Sequence, residues 1–384
     1  KFLWTFLKCT IESMKKIVIT GLGIIFLAVF LVVAYFIFNY VFAKVANQIL
    51  GAAAEEPNYE CKLKAREREF KKARYYEGPL IDTHVHMPVA SGIIGSVAMW
   101  AGFEDMPPAR DIPAGYINCL FDTEGITKSF GFFIVPKIVP QHVVDHVKNI
   151  EEKYPNKFVK FFMPNGPLPT LDPSPSKDGK ILNNNPGLFQ GYGEARFDFN
   201  IGTNAPPEDE YFLEMYRLAD ENNLVVQIHP NRGQLPALER ILKKYPNVKF
   251  LSHVMPDVKK EVGKLMGIYG NLYYSLDAEI HYIFGYQTVQ NNMGPTKEEY
   301  LKFIRKNFDS LLEEGLRNWK QIIEAHPDQF TWGSDRWYTW HFDPEVSGLV
   351  VEFGRTFTGH LDPAVQERFA YKNAEKMLEN SGRK

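Results

Sequence analysis

Ile81-Asp82-Thr83-His84-Val85-His86 completes a short apolar run that begins at Leu80, just after Pro79. Successive side chains of a strand point to opposite faces, so His84 and His86, one residue apart, project from the same face. Two imidazoles on one face near a strand end suit two ligands of a single metal ion. With 10 histidines in 384 residues the pattern is weak alone, and its weight comes from the company it keeps along the chain.

Downstream, short β-rich runs that end in polar residues alternate with helical segments. The runs that read as strands are Leu80 to His86, Ala114 to Phe121, Phe158 to Met163, Gly191 to Phe197, Leu224 to His229, Val248 to His253, Leu272 to Leu276 and Phe330 to Ser334. Phe132 to Ile138 competes with the second of these. Helical patterns lie between several of them, at His142 to Lys153, Glu208 to Asn222, Leu235 to Lys244 and Val258 to Ile268. Strands alternating with helices of this length predict parallel βαβ units. Eight of them predict an α/β fold of the (β/α)8 TIM-barrel type, which takes about 250 residues. The barrel is placed at 77–384, and 280–328 is expected to form a lid-like insertion with two helical patterns after the seventh strand.

A parallel barrel gathers the carboxyl ends of its strands on one face, where active sites of this architecture lie. Strand five ends in Gln227-Ile228-His229, strand six in Leu251-Ser252-His253 and strand eight in Gly333-Ser334-Asp335, each delivering a metal-competent side chain. Desolvating these imidazoles and a carboxylate together is costly, and a cation among them removes that cost.

These residues resemble the amidohydrolase superfamily, particularly its amidohydrolase-related branch. The resemblance spans roughly residues 79–380 through D-T-H-V-H, G-Y-G-E, Q-I-H-P, L-S-H, G-S-D and the closing Y-K-N-A-E-K-M-L of Tyr371 to Leu378. It implies that His84, His86, His229 and Asp335 bind a divalent metal, zinc being the first candidate, with manganese and iron as alternatives. His253 then either holds a second ion or orients the attacking water. Glu194 stands where binuclear relatives carry a bridging carboxylated lysine or glutamate, its other reading being an ion pair with Arg196. Because the branch is often mononuclear, one tightly held ion is expected. Asp335 is the first candidate for the catalytic base and His253 the second.

Around the mouth, Arg232, Asp277, Arg336 and Trp337 follow strand ends. The two arginines are candidates for binding a substrate carboxylate by bidentate hydrogen bonds, or else for neutralising acidic surroundings. Tyr282, Phe284, Tyr286, Tyr338 and Trp340 are read as pocket or core aromatics. The expected activity is hydrolysis of an amide, lactone or ester-like bond by metal-activated water. Non-oxidative decarboxylation with the same ligands is the alternative, and a non-catalytic tethered barrel the third reading.

The first 77 residues carry 12 Lys/Arg against 7 Asp/Glu, whereas the remainder carries 32 against 39. An acidic globular part without a basic run excludes nucleic acid as the main partner and leaves a small-molecule substrate. Oligomeric state is not legible. From Ile17 to Ala43 no residue is charged, and about 20 apolar residues suffice to cross a bilayer. A single-pass anchor is therefore expected at 17–43, after an extension at 1–16 and before a charged stalk at 44–76; a cleaved signal peptide competes with it. Lys15 and Lys16 before the span place the catalytic part outside the cytoplasm. Cys9, Cys61 and Cys119 match neither a zinc-ribbon spacing nor a disulfide framework, and Cys119 is expected to be a small buried core residue.

Overall fold

Each strand run except one lies where its residue pattern placed it. The computed structural model describes residues 56–87, 112–135, 140–163, 175–197, 206–230, 232–253, 259–277 and 296–382. Its strands are β1 (Leu80–His86), β2 (Ile126–Ile134), β3 (Phe158–Met163), β4 (Gly191–Arg196), β5 (Val225–His229), β6 (Phe250–Ser252), β7 (Leu272–Leu276) and β8 (Phe330–Trp332). They pair in parallel and in chain order. A parallel bridge between Val85 and Arg336 brings β1 to the segment leaving β8 and closes the ring. Alternate residues, among them Ile81, Phe130, Phe132, Phe161, Val225 and Leu251, fill the interior. That is the layered side-chain packing that makes such a barrel a solid core.

The exception is the second strand. Ala114 to Phe121 belongs to a helix, α1 (Ala114–Glu124), and not to a strand. Ile117, Leu120 and Phe121 are buried at helical spacing, and Gly125 ends the helix in the left-handed region at φ 70°, where glycine carries no steric cost. The strand follows at once as Ile126–Ile134, only partly overlapping the anticipated competitor Phe132 to Ile138. A short apolar run does not distinguish strand from buried helix by composition, and here the cap decides.

The remaining helices among the described residues are α2 (Pro140–Lys153), α3 (Pro175–Asn184), α4 (Glu210–Asn222), α5 (Leu235–Lys244), α6 (Lys259–Met266), α7 (Lys297–Ala325), α8 (Pro344–Gly359), α9 (Pro363–Glu367) and α10 (Asn373–Leu378). The expected insertion at 280–328 is, over its described part, the single helix α7. Thr296 and Glu299 cap its start reciprocally, satisfying amide donors that a helix start leaves open. Tyr300, Ile304, Phe308, Leu311 and Trp319 form its buried face, so α7 is the outer helix of the seventh βα unit. At the other end, Ala374 and Met377 of α10 join the interior cluster. Lys249, just before β6, donates to the carbonyls of Lys376, Met377 and Glu379 and holds α10 across the floor.

Residues 56–76 are neither a stalk nor a helix but an extended strap seated on the barrel. Glu352 of α8 accepts the backbone N–H groups of Glu69 and Phe70 at 2.8 and 2.7 Å, and Phe70 stacks on Phe308 at 3.8 Å between ring centroids. Cys61 is disulfide-bonded to Cys119 of α1. Cys119 is thus buried as expected but paired; two cysteines 58 residues apart in sequence give no spacing signature.

The expected span at 17–43 lies outside the described residues. Among the described residues no helix is long and apolar enough to cross a membrane; the 29-residue α7 is long enough but charged along one face and packed on the core along the other. The single-pass membrane location, with its bilayer contact, is corrected on this ground and enters no part of the functional reading.

Candidate metal centre

β1 delivers His84 and His86 side by side, as its two-residue period requires, with imidazole centroids 5.0 Å apart. β4 delivers Glu194 through an unusual backbone. Gly193 has φ 121°, and a Cβ there would stand 2.5 Å from the carbonyl oxygen of Gln227 on β5. Only glycine lets β4 approach β5 so closely. β5 and β6 contribute His229 and His253, whose rings lie 5.0 Å apart, and the segment after β8 contributes Asp335.

These side chains converge. The ligand-competent atoms of His84, His86 and Glu194 lie within 4.8 Å of one another, as do those of Glu194, His229 and His253, and those of His84, His253 and Asp335. His86 Nε2 stands 3.7 Å from Glu194 Oε2 and 3.3 Å from Asp335 Oδ1. His84 Nε2 is 3.4 Å from Asp335 Oδ1, and His253 Nε2 is 3.8 Å from Asp335 Oδ2. Glu194 therefore belongs to two histidine sets, one from β1 and one from β5 and β6. His229, expected to share an ion with the β1 pair, falls in the second set.

Asp335 occupies the left-handed region at φ 47°, a conformation Asp and Asn tolerate best after glycine. Its side chain remains one-quarter exposed, whereas His84, His86 and Glu194 are almost wholly buried. Burial opposes ionisation of Asp335, yet His84, His86 and His253 hold its carboxyl well below the usual carboxylate range. Burial also disfavours a charged His84, but Asp335 and Asp277 outweigh it and push its pKa up to about 10. At His86 burial prevails and the pKa is lowered. Anionic carboxylates among buried imidazoles form a donor set that fits a divalent cation.

The mouth residues divide. Arg336 is 1% exposed and turned into the wall. Its guanidinium donates to Ser334 Oγ at 3.1 Å and Glu124 Oε2 at 3.3 Å, contacts Ser347, and lies over the Phe121 ring. With Asp82 Oδ2 3.6 Å from Nε, Arg336 is placed as a buried counter-ion, the second of its two readings. Arg232 opens the turn Arg232–Gln234 after β5, and its side chain lies outside the described residues, as do Tyr282, Phe284 and Tyr286. Trp337 is at the site, its ring packed edge-on against His86 at 4.4 Å. Trp340 is instead buried against Tyr300.

Asp277 was expected at the mouth but without a role toward the histidines, and Asp82 and Gln227 were missed as site residues. Asp277 Oδ2 accepts from His84 Nδ1 at 2.9 Å, and its Oδ1 lies directly against His253 Nδ1. The amide of Gln227 is 3.2 Å from His84 Nε2; its place two residues before His229 on β5 is the signal that could have found it. Asp82, two residues before His84, accepts from the backbone N–H of His84 at 3.2 Å.

Comparison with known proteins bears on the same residues. A family model described as amidohydrolase matches residues 187–379, half of the chain, with Glu194, His229, His253, Asp277 and Asp335 inside it. The chain belongs to the amidohydrolase family. Like other members of that superfamily, this amidohydrolase is a metal-dependent enzyme. Among solved structures it is similar to an amidohydrolase from Burkholderia multivorans with bound zinc, at 12% identity over 79% of this chain and 99% of that one, TM-score 0.49. It is also similar to 5-carboxyvanillate decarboxylase from Novosphingobium aromaticivorans, complexed with manganese, at 14% identity over 84% and 100%, TM-score 0.46. A third is a probable 2-pyrone-4,6-dicarboxylic acid hydrolase from Acinetobacter baumannii, at 14% identity over 78% and 99%, TM-score 0.42. No curated protein matches the chain.

Proposed function

We propose that this amidohydrolase hydrolyses an amide, lactone or ester-like bond of a small molecule, with two divalent-ion positions that share Glu194. The observation that carries the reading is the membership of Glu194 in both histidine sets. Divalent cations held close together repel strongly without an anion between them, and Glu194 would supply that anion. His84 and His86 would hold one ion with Asp335; His229 and His253 would hold the other. Imidazole and carboxylate donors suit zinc, and also manganese or iron.

A divalent ion held there supplies Lewis acidity and makes water acidic enough to react near neutral pH. The chain's own residues do the rest. Asp335, ionised and the most exposed of the set, is the proton acceptor within reach of an incoming water. Trp337, packed on His86, supplies an apolar wall that orients substrate and limits bulk water. His253 Nε2 lies 3.8 Å from the Asp335 carboxylate.

Decarboxylation is the competing chemistry, and the test separates the two. The full chain, loaded with zinc or manganese, is assayed against a panel of amides, lactones and esters and against a panel of aromatic and unsaturated acids. Turnover within the first panel with uptake of water is expected. Carbon dioxide release from the second panel, with no hydrolysis in the first, overturns the proposal in favour of a lyase.

A further inference from the structure

Asp277 immediately follows β7, its carboxylate fully enclosed. One oxygen accepts from His84 Nδ1 at 2.9 Å and from Ser275 Oγ at 3.0 Å; the other lies against His253 Nδ1. Ser275 Oγ is in turn 3.0 Å from Thr83 Oγ1 on β1, which ties the Asp277 end of β7 to the strand that carries His84. Each of the two imidazoles is thus bracketed, with Asp277 at Nδ1 and Asp335 at Nε2. Besides the set they share with Asp335, His84 belongs to a set with His86 and Glu194, and His253 to one with His229 and Glu194.

We infer that Asp277 is a positioning residue that presents Nε2 of both His84 and His253 to the ions, and so couples the two halves of the site. The inference rests on the divalent-ion reading above. A carboxylate only accepts, so a ring that meets it through Nδ1 keeps its proton there and leaves the Nε2 lone pair free for a metal. One carboxylate serving two rings fixes both orientations at once. Asparagine has the same shape but offers one acceptor and one NH2 donor. At position 277 it satisfies one ring and opposes the other, which must rotate or carry its proton on Nε2, where a proton and an ion compete.

The test uses the full chain, its Asp277→Asn and Asp277→Ala variants, all stripped of metal and titrated with zinc against a chromophoric chelator. In parallel, the imidazole N–H proton resonances are recorded on the zinc-loaded proteins with labelled histidine. Asp277→Asn is expected to lower zinc affinity about 10- to 100-fold and to lose one of two carboxylate-bound N–H signals. Asp277→Ala is expected to lose both; should it not fold, the isosteric Asn variant carries the test. An Asn variant that melts earlier but binds zinc as tightly as the parent, with both signals intact, shows a structural role and overturns the inference. A parent that takes up no zinc overturns the divalent-ion reading itself, and the two failures are therefore distinct.

Discussion

Ser334 donates both its backbone N–H and its hydroxyl to Asp82, at 2.9 and 2.5 Å. On the other side of Asp335, the carbonyl of Arg336 accepts from His86 N at 3.0 Å. The first strand thereby grips the chain immediately before and after the residue held at φ 47°, and the neighbours impose the strained conformation. Asp335→Gly is expected to be more stable than Asp335→Ala by about 1 kcal/mol in urea denaturation of the metal-free protein. Equal stability of the two would mean that the backbone at 335 is relaxed.

Arg336 gives a second prediction. Removing a buried cation leaves Asp82 and Glu124 facing each other's surroundings without it, and breaking one partner of such a network costs about 3–5 kcal/mol. Burial already pushes the Asp82 carboxyl up to about 6 despite Arg336. Arg336→Met should therefore show a large loss in denaturation midpoint. A stable variant with only a raised KM would return Arg336 to the substrate.

What the chain discloses before folding follows from period and polarity. β1, β5, β6 and the end of β8 were legible because each couples a β-rich run to a polar residue, and the two-residue period fixes His84 beside His86. α1 was mistaken for a strand because eight apolar-rich residues carry little periodic information, and the deciding Gly125 cap lies beyond them. Both readings of Arg336 stayed open because its partners Glu124 and Ser347 lie 212 and 11 residues away in sequence. Asp277 and the Cys61–Cys119 pair depend on contacts between distant segments that no local pattern encodes.

The disulfide itself is testable. It pins the strap to α1 across a separation of 58 residues, and such a link contributes about 2–4 kcal/mol. Cys61→Ser should lower the melting temperature, and reductant should lower that of the parent to the same value. A parent indifferent to reductant would count against the bond as a brace.

Metal affinity should depend on pH with a definite sign. His84 has its pKa raised from 6.5 to about 10 by Asp335 and Asp277 against the opposing effect of burial. In the metal-free protein the stability this contributes is fully present below 6.5 and lost as pH rises through about 10. An ion must displace that proton, so zinc affinity should climb about tenfold per pH unit between 7 and 9, measured by chelator competition. A flat profile would mean that His84 is already neutral at pH 7.

Most direct for the central claim is metal content per chain in the full-length protein beside its Glu194→Gln variant, after reconstitution with zinc and removal of excess. Gln keeps the shape and one acceptor but removes the anion that two cations share. Two ions per parent chain, and one or none in the variant with the fold intact by circular dichroism, is the predicted result. Equal metal content in parent and variant, or a single ion in each, would contradict a site organised around Glu194.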